Sequence, residues 1–341
     1  MKLPVHSSTI RRKEMDAVLT CMVAEKIGPG EMNVKLSQLA RENLGVEGAT
    51  AFRSAPIALS YALRALDFAP GSGIVISALA PAWHLHAVKG LGYEPVITDV
   101  HPDTGLVTAE LLEDAIRRGG RLILLHEALG FLPEMQAILS LNIPVIEDIS
   151  QSVGATLDGR QAGSYGVFAI LGLEEGDLLT AGGGAVLLAP NKREAVVQRK
   201  LEEEAPPTDI LPDINSALGF VQLKELARNS ELRRNMATLY VNSLMQGRHK
   251  TMVQMGEGAN AVFSFPVILS SGLKEVRQYV NRKEIDIAPA FSGSVAESLG
   301  DALEGCINAK SLLMRCVLFP LYPRLGGANS AKVAKILATL P

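Results

Sequence analysis

Between residues 74 and 147 the chain alternates short apolar runs with segments of helical spacing, and few folds tolerate that pattern. The runs are Ile74–Ser77, Glu94–Asp99, Leu122–His126 and Pro144–Glu147; between them Ala82–Gly90, Ala109–Arg117 and Glu134–Leu141 predict helices. A strand can gain a parallel neighbour only through a crossover, which a helix supplies, so the alternation predicts an α/β architecture with a mostly parallel sheet. Upstream, Met32–Asn43 predicts a helix from the spacing of Val34, Leu36, Leu39 and Ala40 and ends at Gly45; Ala55–Leu66 predicts another. After Gly166 two apolar runs, Val167–Leu173 and Ala185–Ala189, flank an acidic turn and Gly182-Gly183-Gly184, which predicts a hairpin-like pair at the sheet. The acid- and proline-rich stretch 202–212 predicts a domain junction. Beyond it Ile214, Leu218, Val221 and Leu226 predict one long helix ending near Gly247, then a strand around Ala261–Leu269 and a helical C-terminus. The expected division is a large α/β domain over 1–205, and a linking helix with a smaller α+β domain over 206–341.

Composition narrows the function classes. The 341 residues are 48% hydrophobic and 20% charged, enough apolar material for a large core and too much for disorder. Lys and Arg number 33 against 36 Asp and Glu, with no long basic run, so neither nucleic acid nor a membrane surface is an expected partner. Cys21, Cys306 and Cys316 lack the paired spacing of a zinc site or a disulfide framework. No run has the length and apolarity of a bilayer span or a secretory leader, so a cytoplasmic protein is expected. No G-x-G-x-x-G follows a strand and no Walker loop occurs. His84 and His86, two apart on a predicted helix, face different ways, and no metal site is expected.

One stretch carries a family resemblance. VIEDISQSVGA, Val145 to Ala155, resembles the "iEDaAQsxGA" strand end of the DegT-type sugar aminotransferases, pyridoxal-phosphate (PLP) enzymes of fold type I. Further segments agree in order along nearly the whole chain. Gly159 to Phe168 resembles "Gr-vGs-GdigvF", and EPVITDVHPDTG (Glu94–Gly105) resembles "PVFvDvdpdTg". LPDINSALGFVQL (Leu211–Leu223) is similar to "mseLqAAlGlvQL", and LFPLYPRL (Leu318–Leu325) to "LsLPlyPgL". The resemblance implies a three-layer α/β/α PLP-transferase-like large domain with a smaller C-terminal α+β domain.

It also implies where a cofactor would sit. Such chemistry needs a lysine to form an imine, an acid on the pyridine nitrogen and donors for the phosphate. Asp148 matches the family's acid, and Gln151 the residue that contacts the ring hydroxyl. The lysine lies six residues after the phenylalanine matched by Phe168, and there this chain has Glu174; no lysine occurs between Lys89 and Lys192. The phosphate-binding Ser-Gly-Thr becomes Ser54-Ala55-Pro56, where proline supplies neither N–H nor hydroxyl. The serine after Phe168 is Ala169, and the Asn-x-Arg given by a neighbouring subunit falls on Thr208 and Ile210. The ring-stacking aromatic falls on Pro81, with Trp83 nearby, and His126 lies one residue from the place of the family's strand-end histidine.

Three readings follow. The first is a protein that has lost PLP-dependent transamination and binds or assembles instead, with no cofactor expected and a link to nucleotide-sugar metabolism. The second is an enzyme using PLP or its amine form, PMP, without a lysine, as some dehydratase relatives do. The third is a sensor or binder of a phosphorylated sugar or other anion in a pocket of Arg53, Trp83 and Glu174; Arg53 would either bind that anion or neutralise one or both of Glu174 and Asp148 in a closed cluster. The resemblance implies a homodimer, or a heterodimer with an active paralogue.

Overall fold

A computed structural model of the chain describes residues 2–254 and 256–341. Its centre is a seven-stranded sheet in the order β1-β9-β8-β5-β4-β2-β3. The strands are β1 (Gly48–Phe52), β2 (Gly73–Ser77), β3 (Glu94–Thr98), β4 (Gly120–His126), β5 (Val145–Asp148), β8 (Phe168–Gly172) and β9 (Ala185–Ala189). The short β6 (Thr156–Leu157) and β7 (Arg160–Gln161) join β10 (Gly258–Ala259) in a separate three-stranded sheet. Neighbours from β8 to β3 run parallel, whereas β9 is antiparallel to both β8 and β1. The expected hairpin-like pair is therefore present. Its connecting Gly182, Gly183 and Gly184 all have φ between +69° and +122°, a region costly for residues with a Cβ.

Both faces of the sheet are covered, which explains the near-continuous apolar strands. Ile74, Ile76, Leu122, Leu124, Ile146, Phe168 and Ile170 pack toward α3 (Ala55–Ala65) and α4 (Ala82–Gly90), beside α7 (Lys192–Glu203). The alternate residues Val75, Ile123, Leu125, Val145, Ala169 and Leu171 face α2 (Glu31–Leu44), α5 (Ala109–Arg117) and α6 (Met135–Leu139). The period of two thus sorts side chains between two helical layers.

Several elements fall outside those the sequence patterns pick out, α7 among them, and two of them show why. The first, α1 (Arg12–Val23), buries only Glu14 and Cys21, too little for a clear apolar stripe. The other, β1, reads Gly-Ala-Thr-Ala-Phe and becomes a strand by pairing with β9. The expected long helix is two helices, α8 (Asp213–Lys224) and α9 (Leu226–Leu244), interrupted at Glu225 (φ −88°, ψ 1°). Glu225 Oε1 accepts from Lys13 Nζ of α1 at 2.6 Å, and α8 packs against α1 and α2. The smaller α+β part pairs β11 (Phe265–Ile268) and β12 (Ala288–Pro289) with the central β13 (Cys316–Phe319). Around that sheet lie α9, α10 (Leu273–Arg282), α12 (Ile307–Arg315) and α13 (Gly327–Leu337), while α11 (Val295–Leu299) packs against α4 and α12. Its core holds Tyr240, Phe265, Val280, Phe319 and Leu337.

Candidate active site

The carboxyl ends of parallel strands are where ligands bind in open α/β sheets. Asp148 closes β5, His126 closes β4, and Arg53 and Ser54 follow β1, while Glu174 lies just beyond β8. The sheet therefore brings the sequence-predicted residues to one edge. It does not make them one cluster.

Asp148 is completely buried and saturated. Its Oδ2 accepts from His84 Nε2 at 2.8 Å and from His126 Nδ1 at 3.0 Å. Its Oδ1 accepts from the Ser150 backbone N–H at 3.1 Å and the Ser150 hydroxyl at 2.5 Å. Four donors meet the roughly four lone-pair sites of a carboxylate. Burial opposes the charge, but the bonds from His126 and His84 outweigh it and hold the Asp148 carboxyl well below the usual range. His84 is itself buried, and burial, against the pull of Asp148, lowers its basicity.

Local structure explains how His84 reaches this place. On α4, His84, Leu85, Ala87 and Val88 face inward and His86 outward, as the spacing of the two histidines predicts. The loop before the helix is clamped by a segment of the smaller part: Ala82 N–H donates to Gly293 O, and Val295 and Ala296 N–H to Ala80 O and Ala78 O. The Trp83 ring meets the His84 ring edge-on at 4.2 Å between centroids. Trp83 thus lines a histidine, and the position expected for a stacking aromatic, Pro81, forms the helix N-cap.

The other candidates lie apart. Arg53 is exposed, and among the described residues no ion pair within 4.0 Å joins it to Asp148 or Glu174; the expected three-membered charge cluster does not form. The reason is geometric: Asp148 faces α4, whereas Arg53 precedes α3 and is anchored by its own N–H to Asp209 O at 2.8 Å. Ser54 caps α3 through Ile57 N–H, with Pro56 in the first turn, and Ile210 bridges Phe52 of the same chain. Glu174 is exposed beside the triglycine turn. The Gln151 side chain is taken up by the backbone: its Oε1 accepts from Leu129 N–H at 2.7 Å.

Two further acids shape the region. Glu147 Oε1 accepts from Tyr165 and Gly166 N–H and its Oε2 from Gly163 N–H, at 2.6–2.8 Å, so it ties the Gly163–Gly166 turn to β5. Glu127, also fully buried, accepts from the Ser152 hydroxyl and leaves Oε1 without a hydrogen-bond partner. Burial, and then the neighbouring Glu147 charge, raises the Glu127 carboxyl well above its ordinary value. Asp177, beneath the Glu174 loop, accepts from Glu174 N–H at 2.8 Å and is pushed up to about 8 by burial first, then by the charges of Asp148 and Glu174.

Among the described residues, the ligand atoms of His84, His126 and Asp148 lie within 4.8 Å of one another, the only such group of three. Separations of 2.8 and 3.0 Å are hydrogen bonds, and His84 Nδ1 lacks the acceptor that orients a metal-bound imidazole. Sequence reasoning missed this triad. Its signal was a buried-face histidine on α4 and a histidine ending a strand; the partners are 64 and 22 residues from Asp148.

The sequence profile of the DegT/DnrJ/EryC1/StrS aminotransferase family matches residues 8–338. The chain belongs to this family. A related protein is the GDP-perosamine synthase of Caulobacter vibrioides, 25% identical over 298 residues that cover 82% of this chain and 80% of the relative. Among solved structures, an aminotransferase from Psychrobacter cryohalolentis superposes with a TM-score of 0.86 at 19% identity, covering 96% of each chain. The E. coli GDP-4-keto-6-deoxy-D-mannose-3-dehydratase with bound hydrated PLP gives 0.85 at 18% identity, covering 99% of this chain and all of that one. These likenesses establish the three-layer fold of the PLP-dependent sugar aminotransferases for this family member. No described helix is long and apolar enough to cross a membrane.

Proposed function

We propose that this member of the sugar aminotransferase family no longer performs PLP-dependent transamination and serves as a binding or assembly subunit. The observation that carries the reading is Glu174: exposed, six residues after Phe168, in a stretch from 90 to 191 without any lysine. A carboxylate forms no imine and repels a phosphorylated ring. Pro56 in the first turn of α3 removes a backbone donor from the helix end where a phosphate would dock. The saturation of Asp148 agrees, since none of its lone pairs is left for a pyridine nitrogen. The residues present do not fit the cofactor.

Assembly is supported by an apolar stripe on α1 and its extension: Met15, Leu19, Met22, Val23 and Ile27 are each more than half exposed. A second copy, or an active paralogue, is the proposed partner, and the cytoplasm the proposed location. The ligand class proposed from the Caulobacter relative is a nucleotide sugar.

Purified protein incubated with PLP is expected to develop no new visible absorbance and to gain no mass after borohydride. Calorimetry with PMP is expected to show no heat; heat there would place the chain with lysine-independent enzymes and overturn the reading. A GDP-sugar that raises the melting temperature, an effect lost in Arg53→Ala, is the expected sign of retained ligand binding.

A further inference from the structure

We propose that the edge of the large sheet between α2 and α7 holds a free α-amino acid, bound as a one-residue strand against Ala49 and apart from the strand-end site. A cavity of about 250 Å³ opens there over Gly48–Thr50, smaller than the roughly 300–1,000 Å³ of pockets for drug-sized ligands. β1 is the outermost strand of the sheet, and only its C-terminal half is covered. Ala51 N–H donates to the Ser37 hydroxyl at 3.2 Å, and Ala51 O accepts from Leu211 N–H at 3.0 Å. Backbone groups along a strand alternate in direction, so Ala49 turns its N–H and C=O to the same edge as Ala51. Among the described residues no hydrogen bond from outside the sheet reaches either group. An edge in this state is a template for one more strand residue.

The charges on the walls select the ligand class. Arg41 in the last turn of α2 and Arg199 on α7 line the cavity together with Glu47 and Glu202, two cations against two anions. Among the described residues none of the four joins an ion pair within 4.0 Å. A simple anion would meet both carboxylates and a simple cation both guanidiniums; a zwitterion answers both signs. Two residues opposite each other in an antiparallel pair exchange both N–H···O bonds. An amino acid facing Ala49 in that way brings its ammonium to the Ala49 carbonyl and its carboxylate to the Ala49 N–H. Gln198, 3% exposed, stiffens the same wall. Its amide donates to Leu187 O at 2.9 Å and to the Thr50 hydroxyl at 3.0 Å, and Thr50 donates to Glu202 Oε2 at 2.8 Å. That relay holds Glu202 in place and leaves Gln198 Oε1 buried without a partner, so the wall has one more acceptor than its own donors fill. Burial raises the Glu202 carboxyl above its ordinary value, and an ammonium beside it would restore the charge.

The test is thermal unfolding of the full chain with each standard L-amino acid in turn as the probe. At about ten times its Kd at least one is expected to raise the melting temperature by about 2 °C. The matching 2-oxo acid lacks the ammonium, the methyl ester lacks the carboxylate and inorganic phosphate is a plain anion; each should leave the melt unmoved. The exposed pair Arg41→Ala with Arg199→Ala should weaken the calorimetric Kd at least about tenfold, whereas Arg53→Ala should leave it unchanged. Ala49→Pro removes the edge N–H, which an outermost strand tolerates, and should also abolish the response. Should that variant not fold, the arginine pair decides. No response to any amino acid overturns the inference, as does a response kept by the arginine pair or by a folded Ala49→Pro. An equal response to phosphate or to the 2-oxo acid overturns it too, and so does one lost in Arg53→Ala, which puts the amino acid at the strand ends. PLP or PMP uptake by wild type overturns the functional reading alone and leaves this site standing.

Discussion

Asp148→Ala is expected to lower the unfolding free energy by about 3–5 kcal/mol, because it strands buried donors on His84, His126 and Ser150 at once. Asp148→Asn keeps the shape but turns an NH2 group toward donors, and is expected to lose about 2 kcal/mol. Urea unfolding with an unchanged m-value is the measurement, and a loss below about 1 kcal/mol for the alanine variant would show that the network is not what holds this edge together. The pH dependence has a definite sign. The folded-state carboxyl lies well below its ordinary value, so its stabilisation is complete above the unfolded pKa of about 3.9 and disappears as pH falls further. Wild type should therefore lose its advantage over the alanine variant only in acid, with a flat difference at neutral pH.

Glu127→Gln is expected to act in the opposite direction. Burial and the Glu147 charge raise the folded-state carboxyl of Glu127 well above its unfolded value of about 4.3. A raised group stabilises fully below the unfolded pKa and loses that contribution as pH rises toward the folded one. Glutamine keeps the shape and an acceptor for Ser152 but does not titrate. The variant should be more stable than wild type by about 1–3 kcal/mol at pH 8, and the two should converge toward about pH 4. Denaturation at a series of pH values checks this, and a wild type more stable than the variant in alkali would refute the assignment of a neutral Glu127. The adjacent Glu147 predicts a contrast: it uses both oxygens on three backbone N–H groups, so Glu147→Gln should destabilise at neutral pH.

Acid lability is thus expected from Asp148 and alkaline lability from Glu127, two carboxyls within one buried region. The difference is in donors. Asp148 meets four, while Glu127 meets the Ser152 hydroxyl and leaves one oxygen unpartnered. Equal burial therefore produces opposite shifts.

The amino-acid sequence by itself determined the layered fold. Apolar runs such as Leu122–His126 and helical spacing such as Ala109–Arg117 are local properties, and local spacing decides backbone state and the face to be buried. The motif around Asp148 and the glycine turn at 182–184 were likewise legible, because a strand end and a positive φ each leave a local mark. Strand β1 was not, since β9 imposes it from far along the chain, and neither was the break at Glu225. The same holds for the site. That Asp148 is held by His84 and His126, and not by Arg53, is decided by which helix lies over β5 and which strand lies beside it. Pairing over 64 and 22 residues depends on sheet order and crossover packing, and no local spacing encodes those.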